Sequence, residues 1–211
     1  MIKVQKPKFV EELEVCDDIC EYIYDYETLR NKIVENRSIC DIENVKVSMD
    51  SCVFKNVDFF ECDFKKIDLV DVVFENCDLS NVSFRDGSLY RVEFRNCKMI
   101  GARLEDCILK NVLFENVLGK YINFSFSKFK TVYIKESQLQ NSVFQQVVFE
   151  KMEFEESNLT ESNFHQSSLK NIDFSSCNVD GIEVGIKEIE GCTLNTMQAL
   201  DLTRLMKIKI K

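Results

Sequence analysis

Residues able to do chemistry are present in this chain, but they do not assemble into a reacting set. The one histidine, His165, directly follows Phe164 in a run of alternating apolar and polar residues. General-base or nucleophilic catalysis needs an imidazole beside a nucleophile and a buried orienting partner. The local pattern instead turns His165 outward to solvent. Ten cysteines could supply zinc ligands or thiolate nucleophiles. A zinc site wants close pairs of the C-x-x-C kind, and none occurs; Cys16 and Cys20 lie four apart with no matching second pair. Adjacent carboxylates recur, as in Glu105-Asp106 and Glu155-Glu156. Acid–base work needs a cleft that pushes two pKa values apart, and repeated outward acids are more simply a solvated face. No glycine-rich phosphate loop is present. These residues imply no catalytic, cofactor-binding or metal site, and the expectation is a protein that is not an enzyme.

The cysteines do carry one regularity. Cys52, Cys62, Cys77, Cys97, Cys107, Cys177 and Cys192 share one phase of a five-residue period. Two residues after each phase point stands a large apolar residue. Counting by fives from Met49 to Leu194, 29 of 30 positions hold Phe, Leu, Ile, Met or Val, and only Gly119 departs. Of the 17 phenylalanines, 14 fall in this frame. The position two before each centre is small or β-branched, with Met152 and Lys187 as exceptions, and the other three are mostly polar. Neither a helical nor a strand period produces this spacing.

Residues at i−2 and i face the same way on a short extended segment. The chain then turns, so that it faces inward again five residues later. Four such turns close a square coil of 20 residues, and stacked coils pair as parallel strands ~4.8 Å apart. A 20-residue superperiod supports this. One face carries Phe54, Phe74, Phe94, Phe114, Ile134, Phe154 and Phe174; the opposite one carries Phe64, Phe84, Leu104, Phe124, Phe144 and Phe164. The phenylalanines of both faces are the expected structural core. About seven coils give a rod of roughly 35 Å, and no insertion interrupts the frame.

The chain has 211 residues, 45% apolar, with only 6 Gly and 1 Pro, and a net charge of −9. That length suffices for one domain with a sizeable core. The acidity disfavours direct contact with nucleic acid or an anionic membrane. Residues 1–10, MIKVQKPKFV, hold no apolar signal region. No window approaches the ~18 apolar residues of a membrane span, and a cytoplasmic chain with reduced thiols is expected.

The ends depart from the repeat. Residues 1–46 read as an N-terminal cap or irregular first coil, with 11–25 (EELEVCDDICEYIYD) compatible with a short helix. Residues 47–194 are the coil. Residues 195–211 begin NTMQALDLTRLM, which is compatible with a helix, and then alternate through Ile208 and Ile210 like a short strand. An apolar terminal element can cap the last coil, join two copies, or do both. Leu200, Leu202, Leu205, Met206, Ile208 and Ile210 are the candidate dimerisation residues.

SNLTE at 157–161, SNFHQ at 162–166 and CDLSN at 77–81 resemble the bacterial pentapeptide-repeat consensus. The resemblance implies an all-β solenoid, a right-handed quadrilateral β-helix of about seven coils with an N-terminal cap and a short C-terminal helix plus strand. Residues 109–129 (LKNVLFENVLGKYINFSFSKF), LTESNF at 159–164, SLKNIDFS at 168–175 and the ending GCTLNTMQALDLTRLMKIKI resemble, more narrowly, the Qnr/MfpA group, and within it the chromosomal Qnr-like proteins of Gram-positive bacteria. Met206-Lys207 stands where that terminal element usually has Leu-Gly, and the loop insertions of plasmid-borne members are missing. The group's members bind DNA gyrase or topoisomerase IV as mimics of duplex DNA, protect them from quinolones, and pair end to end as homodimers. The resemblance therefore implies those partners, with the generic interaction rod as the alternative. Duplex DNA carries one charge per ~1.7 Å, so ~35 Å carries about 20, whereas residues 49–184 hold 22 acids and 15 bases. Mimicry at a net −7 requires the acids to cluster on one or two faces. The candidate acidic surface is Glu153, Glu155, Glu156, Glu161, Asp173 and Asp180.

Overall fold

Short extended segments separated by left-handed corners build one parallel solenoid. The computed structural model describes residues 2–16, 19, 23, 28–43 and 45–207. Its strands are β1 (Glu14–Val15), β2 (Thr28–Arg30), β3 (Lys32–Cys40), β4 (Ser48–Phe60), β5 (Asp68–Glu75), β6 (Ser88–Arg95), β7 (Ile108–Glu115), β8 (Lys128–Lys135), β9 (Val148–Phe149) and β10 (Met152–Glu155). They pair in parallel, each with the strand one coil away. Along face 2 the register is 20 residues: Val34 lies against Phe54, Phe54 against Phe74, and on through Phe94, Phe114, Ile134 and Phe154, while β1 meets β3 at a spacing of 18.

Four faces follow one another along the chain. Face 1 is centred on Leu29, Met49, Leu69, Leu89, Leu109, Phe129, Phe149 and Leu169. Face 2 is centred on Val34, Phe54, Phe74, Phe94, Phe114, Ile134, Phe154 and Phe174. Face 3 holds Ile39, Phe59, Leu79, Met99, Gly119, Leu139, Leu159 and Val179. Face 4 holds Phe64, Phe84, Leu104, Phe124, Phe144, Phe164 and Val184. Strands β5 to β8 run through faces 1 and 2, while faces 3 and 4 pair mostly through single bridges such as Lys98 with Leu118 and Arg103 with Asn123. Most corners place the residue two after the centre at positive φ, near +52° to +60° at Asn56, Asn76, Asn81 and Asn96, whereas Lys151, Ser176 and Ile186 do not. Asn, Asp and Gly tolerate that region best. Thr131 is β-branched and is not left-handed, and the β7–β8 register shifts where Lys110 meets it.

The core is the stack of centres. Phe54, Phe74, Phe94 and Phe114 stack with centroids 5.0, 5.1 and 5.0 Å apart. Phe64 and Phe84 stack on face 4, as do Phe124, Phe144 and Phe164. Phe154 and Phe174 continue face 2 at 5.4 Å. All these rings are buried, each stabilising by about 1.5–3 kcal/mol through burial. Gly119 shares its coil with Phe114, Phe124 and Phe129. A Cβ there would meet Leu139 Cδ2 at 2.8 Å, so the leucine of the next coil leaves no room for a large centre at this position.

The small inward residues tie coil to coil. Cys52 Sγ donates to the Leu29 carbonyl at 3.4 Å and Cys107 Sγ to that of Phe84 at 3.0 Å. Ser127 donates to Leu104 O at 2.6 Å and accepts from the Cys107 N–H at 2.9 Å.

Both ends of the stack are closed. The paired register reaches back to Thr28, inside the segment read from sequence as a cap or irregular first coil. Lys32 and Arg37 occupy small inward positions there, which hid the repeat. β1 covers the first edge, with Glu14 N donating to Asn31 O at 2.8 Å. The helix expected over 11–25 does not form at 11–16, which carries β1; Ile19 and Ile23 are helical and buried, and 17–18, 20–22 and 24–25 lie outside the described residues. At the far end, α1 (Thr196–Leu202) runs into a 3-10 turn (Thr203–Met206). Asn195 and Gln198 form a reciprocal capping box. Gln198 Nε2 also donates to Phe174 O at 2.9 Å and Cys177 O at 2.7 Å, and Arg204 to Ile182 O at 2.8 Å, satisfying carbonyls that have no further coil.

Candidate protein-interaction surface

The outward residues decide what the rod can do, because its interior is filled by packed side chains. His165 is exposed and borders a shallow hollow with Gln145, Asn163 and Arg204, whose lining includes neither serine nor cysteine. Burial pushes the Cys52 thiol up to about 11 and the Cys107 thiol up to about 12, so neither supplies a thiolate near neutral pH. Among the described residues no cluster of three or more His, Cys, Asp or Glu could hold a metal ion.

Charge is distributed unevenly. Within 49–184, the outward residues of face 2 number eight acids and three bases, and those of face 3 five acids and two bases. Face 4 has five and four, and face 1 reverses the sign with four acids and six bases. Along face 2 one column alternates as Glu35, Lys55, Glu75, Arg95, Glu115, Lys135 and Glu155. Lys55 pairs with Glu35 at 3.7 Å, and Glu115 meets Arg95 at 3.8 Å and Lys135 at 2.5 Å. This column largely neutralises itself. The excess lies further along: from residue 136 to 183, faces 2 and 3 carry Glu136, Glu153, Glu155, Glu156, Glu161, Asp173 and Asp180 and no base.

Four of the six sequence-predicted acids, Glu153, Glu155, Glu156 and Asp173, stand on face 2 in successive coils. Glu161 and Asp180 stand on adjoining face 3. They are not equally free. Glu155 accepts from the Tyr133 hydroxyl and Glu153 from the Ile2 N–H. Asp173 accepts from Ser175 N at 2.8 Å, and the Ser175 side chain together with this amide holds its carboxyl below the usual range.

The predicted dimerisation residues divide. Leu202 is 4% exposed and belongs to the core cluster, so it serves the cap, not an outer contact. Leu205 is half-buried against the same cluster. Leu200 and Met206 are exposed, together with Met197, which the sequence reading passed over. Ile208 and Ile210, and the short strand expected there, lie outside the described residues.

Two features were not foreseen. The first is an N-terminal arm, residues 2–10, lying over the corner between faces 1 and 2 and onto face 2. Lys8 N donates to Asp71 Oδ1 at 2.8 Å, Gln5 N to Asn111 Oδ1 at 3.3 Å, and Ile2 N to Glu153. The second is a pair of exposed aromatics, Tyr121 and Phe126, at consecutive corners with φ of 61° and 64°. Both features left traces in the sequence. The outward column of face 2 reads Val53, Val73, Glu93, Leu113, Tyr133, Glu153, unusually apolar for a solvated face, and the two aromatics stand where other corners hold mainly Asn, Asp or Glu.

A filled parallel β-solenoid presents its chemistry on a patterned outer surface. The pentapeptide-repeat-region model matches residues 47–124 and 67–144, and the eight-copy pentapeptide-repeat model matches 137–175. The chain belongs to the pentapeptide-repeat family. Among solved structures, it is similar to full-length QnrB1, a plasmid-mediated fluoroquinolone resistance protein, at 17% identity, covering 83% of this chain and 98% of that one with a TM-score of 0.37. A trypsin-treated QnrB1 variant gives 19% identity, 87% and 100% coverage and a TM-score of 0.39. HetL, a protein involved in heterocyst differentiation regulation from the cyanobacterium Nostoc sp., gives 12% identity, 85% and 96% coverage and a TM-score of 0.42. Among curated proteins nothing matches the sequence.

Proposed function

We propose that this chain is a non-catalytic, DNA-mimicking protein that binds a type II topoisomerase, DNA gyrase or topoisomerase IV, with quinolone resistance as the consequence. The observation that carries the reading is the run of seven acids without a base on faces 2 and 3 between 136 and 183. A stretch of one charge sign on a straight rod suits a basic surface shaped for duplex DNA. The resemblance of residues 109–129, 159–164 and 168–175 and of the terminal element to Qnr-like proteins directs the reading to topoisomerases. A homodimer joined through Met197, Leu200, Leu205 and Met206 would place two such acidic runs end to end. A cytoplasmic location goes with that partner; among the described residues no helix is long and apolar enough to cross a membrane.

The test is gyrase supercoiling with and without a fluoroquinolone, alongside drug susceptibility of cells expressing the protein. Protection that is lost in Glu153→Lys/Glu156→Lys/Asp173→Lys supports the reading. No effect at micromolar protein overturns it. A generic interaction rod without topoisomerase binding is the second reading, favoured by one observation: the arm already covers part of the most acidic face.

A further inference from the structure

We propose that the channel along face 2 is a docking site for an extended, lysine-bearing segment of a partner protein, and that residues 2–10 are a resident occupant the partner displaces. The inference does not rest on the topoisomerase reading.

The register is the first support. Asp71, Asn111 and Glu153 accept main-chain N–H groups from Lys8, Gln5 and Ile2, one every third residue of the arm. Asp71 and Asn111 are two coils apart, about 9.6 Å at the parallel-strand spacing. Three residues of extended or polyproline-like chain span roughly 9–10 Å. The rod therefore measures out extended chain in steps of three. The arm has no helix or strand and accommodates Pro7 between two of the bonded positions. Because main-chain groups are what is held, other extended sequences fit the same acceptors.

The floor of the channel is the second support. Val53, Val73, Glu93 and Tyr133 point outward yet are 8, 9, 2 and 8% exposed. Asp173, one coil past the bond to Ile2, is exposed. The equivalent outward positions of face 1, Asp68, Ser88, Ile108, Lys128 and Val148, are all exposed. Face 1 has no such covering.

Charge selects the occupant. The acid excess of face 2 gathers at the Ile2 end of the arm, at Glu136, Glu153, Glu155 and Glu156, while at the other end Asp71 is shared with Arg91; the arm brings Lys3, Lys6 and Lys8, all exposed. Lys6 lies close enough to the buried Glu93 to offset part of the cost of its charge. A nucleic acid or an acidic peptide would meet repulsion here. A second copy's arm has the right chemistry, but the tethered arm acts at an effective concentration of about millimolar and outcompetes it.

The test uses the full chain carrying Lys3→Glu/Lys6→Glu/Lys8→Glu, which turns the arm against its own face, and a fluorescent peptide of residues 2–10. The peptide should bind this variant at least tenfold more tightly than the parent, as read by anisotropy, and the gain should fade at high salt. Hydrogen exchange at the Gln5 and Lys8 amides should quicken in the variant. Failure of the peptide to bind the variant at millimolar concentration overturns the proposal, as does equal binding to both chains. Unchanged protection of the two amides also overturns it, because charge then does not hold the arm. A variant or parent that dimerises through the arm, seen by light scattering and reversed by the peptide, replaces the partner with a second copy.

Discussion

Faces 2 and 4 lie opposite each other on the same coil, with the same period and similar phenylalanine stacks, yet their outer columns differ. Face 4 presents Asp63, Ser83, Arg103, Asn123, Val143, Asn163 and Glu183; face 2 presents Val53, Val73, Glu93, Leu113, Tyr133, Glu153 and Asp173. The inner residues are under one constraint, the filling of a square core. The outer ones answer only to what lies against them. An outer column that turns apolar at a 20-residue spacing signals a covering element, here the arm.

Removing one residue within 140–144 breaks both faces at once. Every later centre leaves the core, including Phe164 and Phe174, and cooperative urea unfolding should be lost. A parent-like melt would disprove the coil register. Next in size is a matched pair of substitutions. Val73→Asp puts a charge beneath the arm and should cost about 1–3 kcal/mol, limited by the free energy of arm docking. Val143→Asp, at the equivalent place on face 4, should stay within about 0.5 kcal/mol. Equal costs in denaturant titrations would remove the distinction between the faces.

A smaller effect, of opposite sign, is expected at the corner after face 4. Phe126→Asn relieves a left-handed aromatic and should raise stability by roughly 0.5–1 kcal/mol, visible as a higher Tm. A lower Tm would mean that the ring packs usefully where it stands.

The finest comparison is within face 2. Burial holds the Glu93 carboxyl above its ordinary 4.5, against the pull of Arg95 and Lys6. The folded state then binds that proton more tightly than the unfolded state, so stability falls as pH rises through the window above 4.5. Glu93→Gln should be slightly more stable than the parent near neutral pH and lose that margin below the unfolded value. A margin that grows on acidification would mean the ion pair with Arg95 outweighs burial.

Much of the fold was legible because the repeat is local. Each centre and its small partner sit two residues apart and recur every five, so Phe54 to Phe174 could be assigned to the core by counting. The first coil was not legible, since Lys32 and Arg37 occupy its small positions. The terminal helix was legible from Leu200 to Met206. The inward turn of Leu202 was not, because it depends on where the last coil ends. Of the six acids named from the sequence, the division between faces 2 and 3 follows from the coil register, and the contact of Glu153 with Ile2 depends on the arm.

The amino-acid sequence by itself determined the rod, its period, its four unequal faces and its charge, since these follow from spacing along the chain and from which side chains avoid water. Only the tertiary structure decided which face is open. Residues 2–10 meet Asp71, Asn111 and Glu153 across separations of 63, 106 and 151 residues. A contact at that range leaves no periodic trace in the arm, because hydrogen bonds from main-chain N–H groups constrain shape rather than residue type.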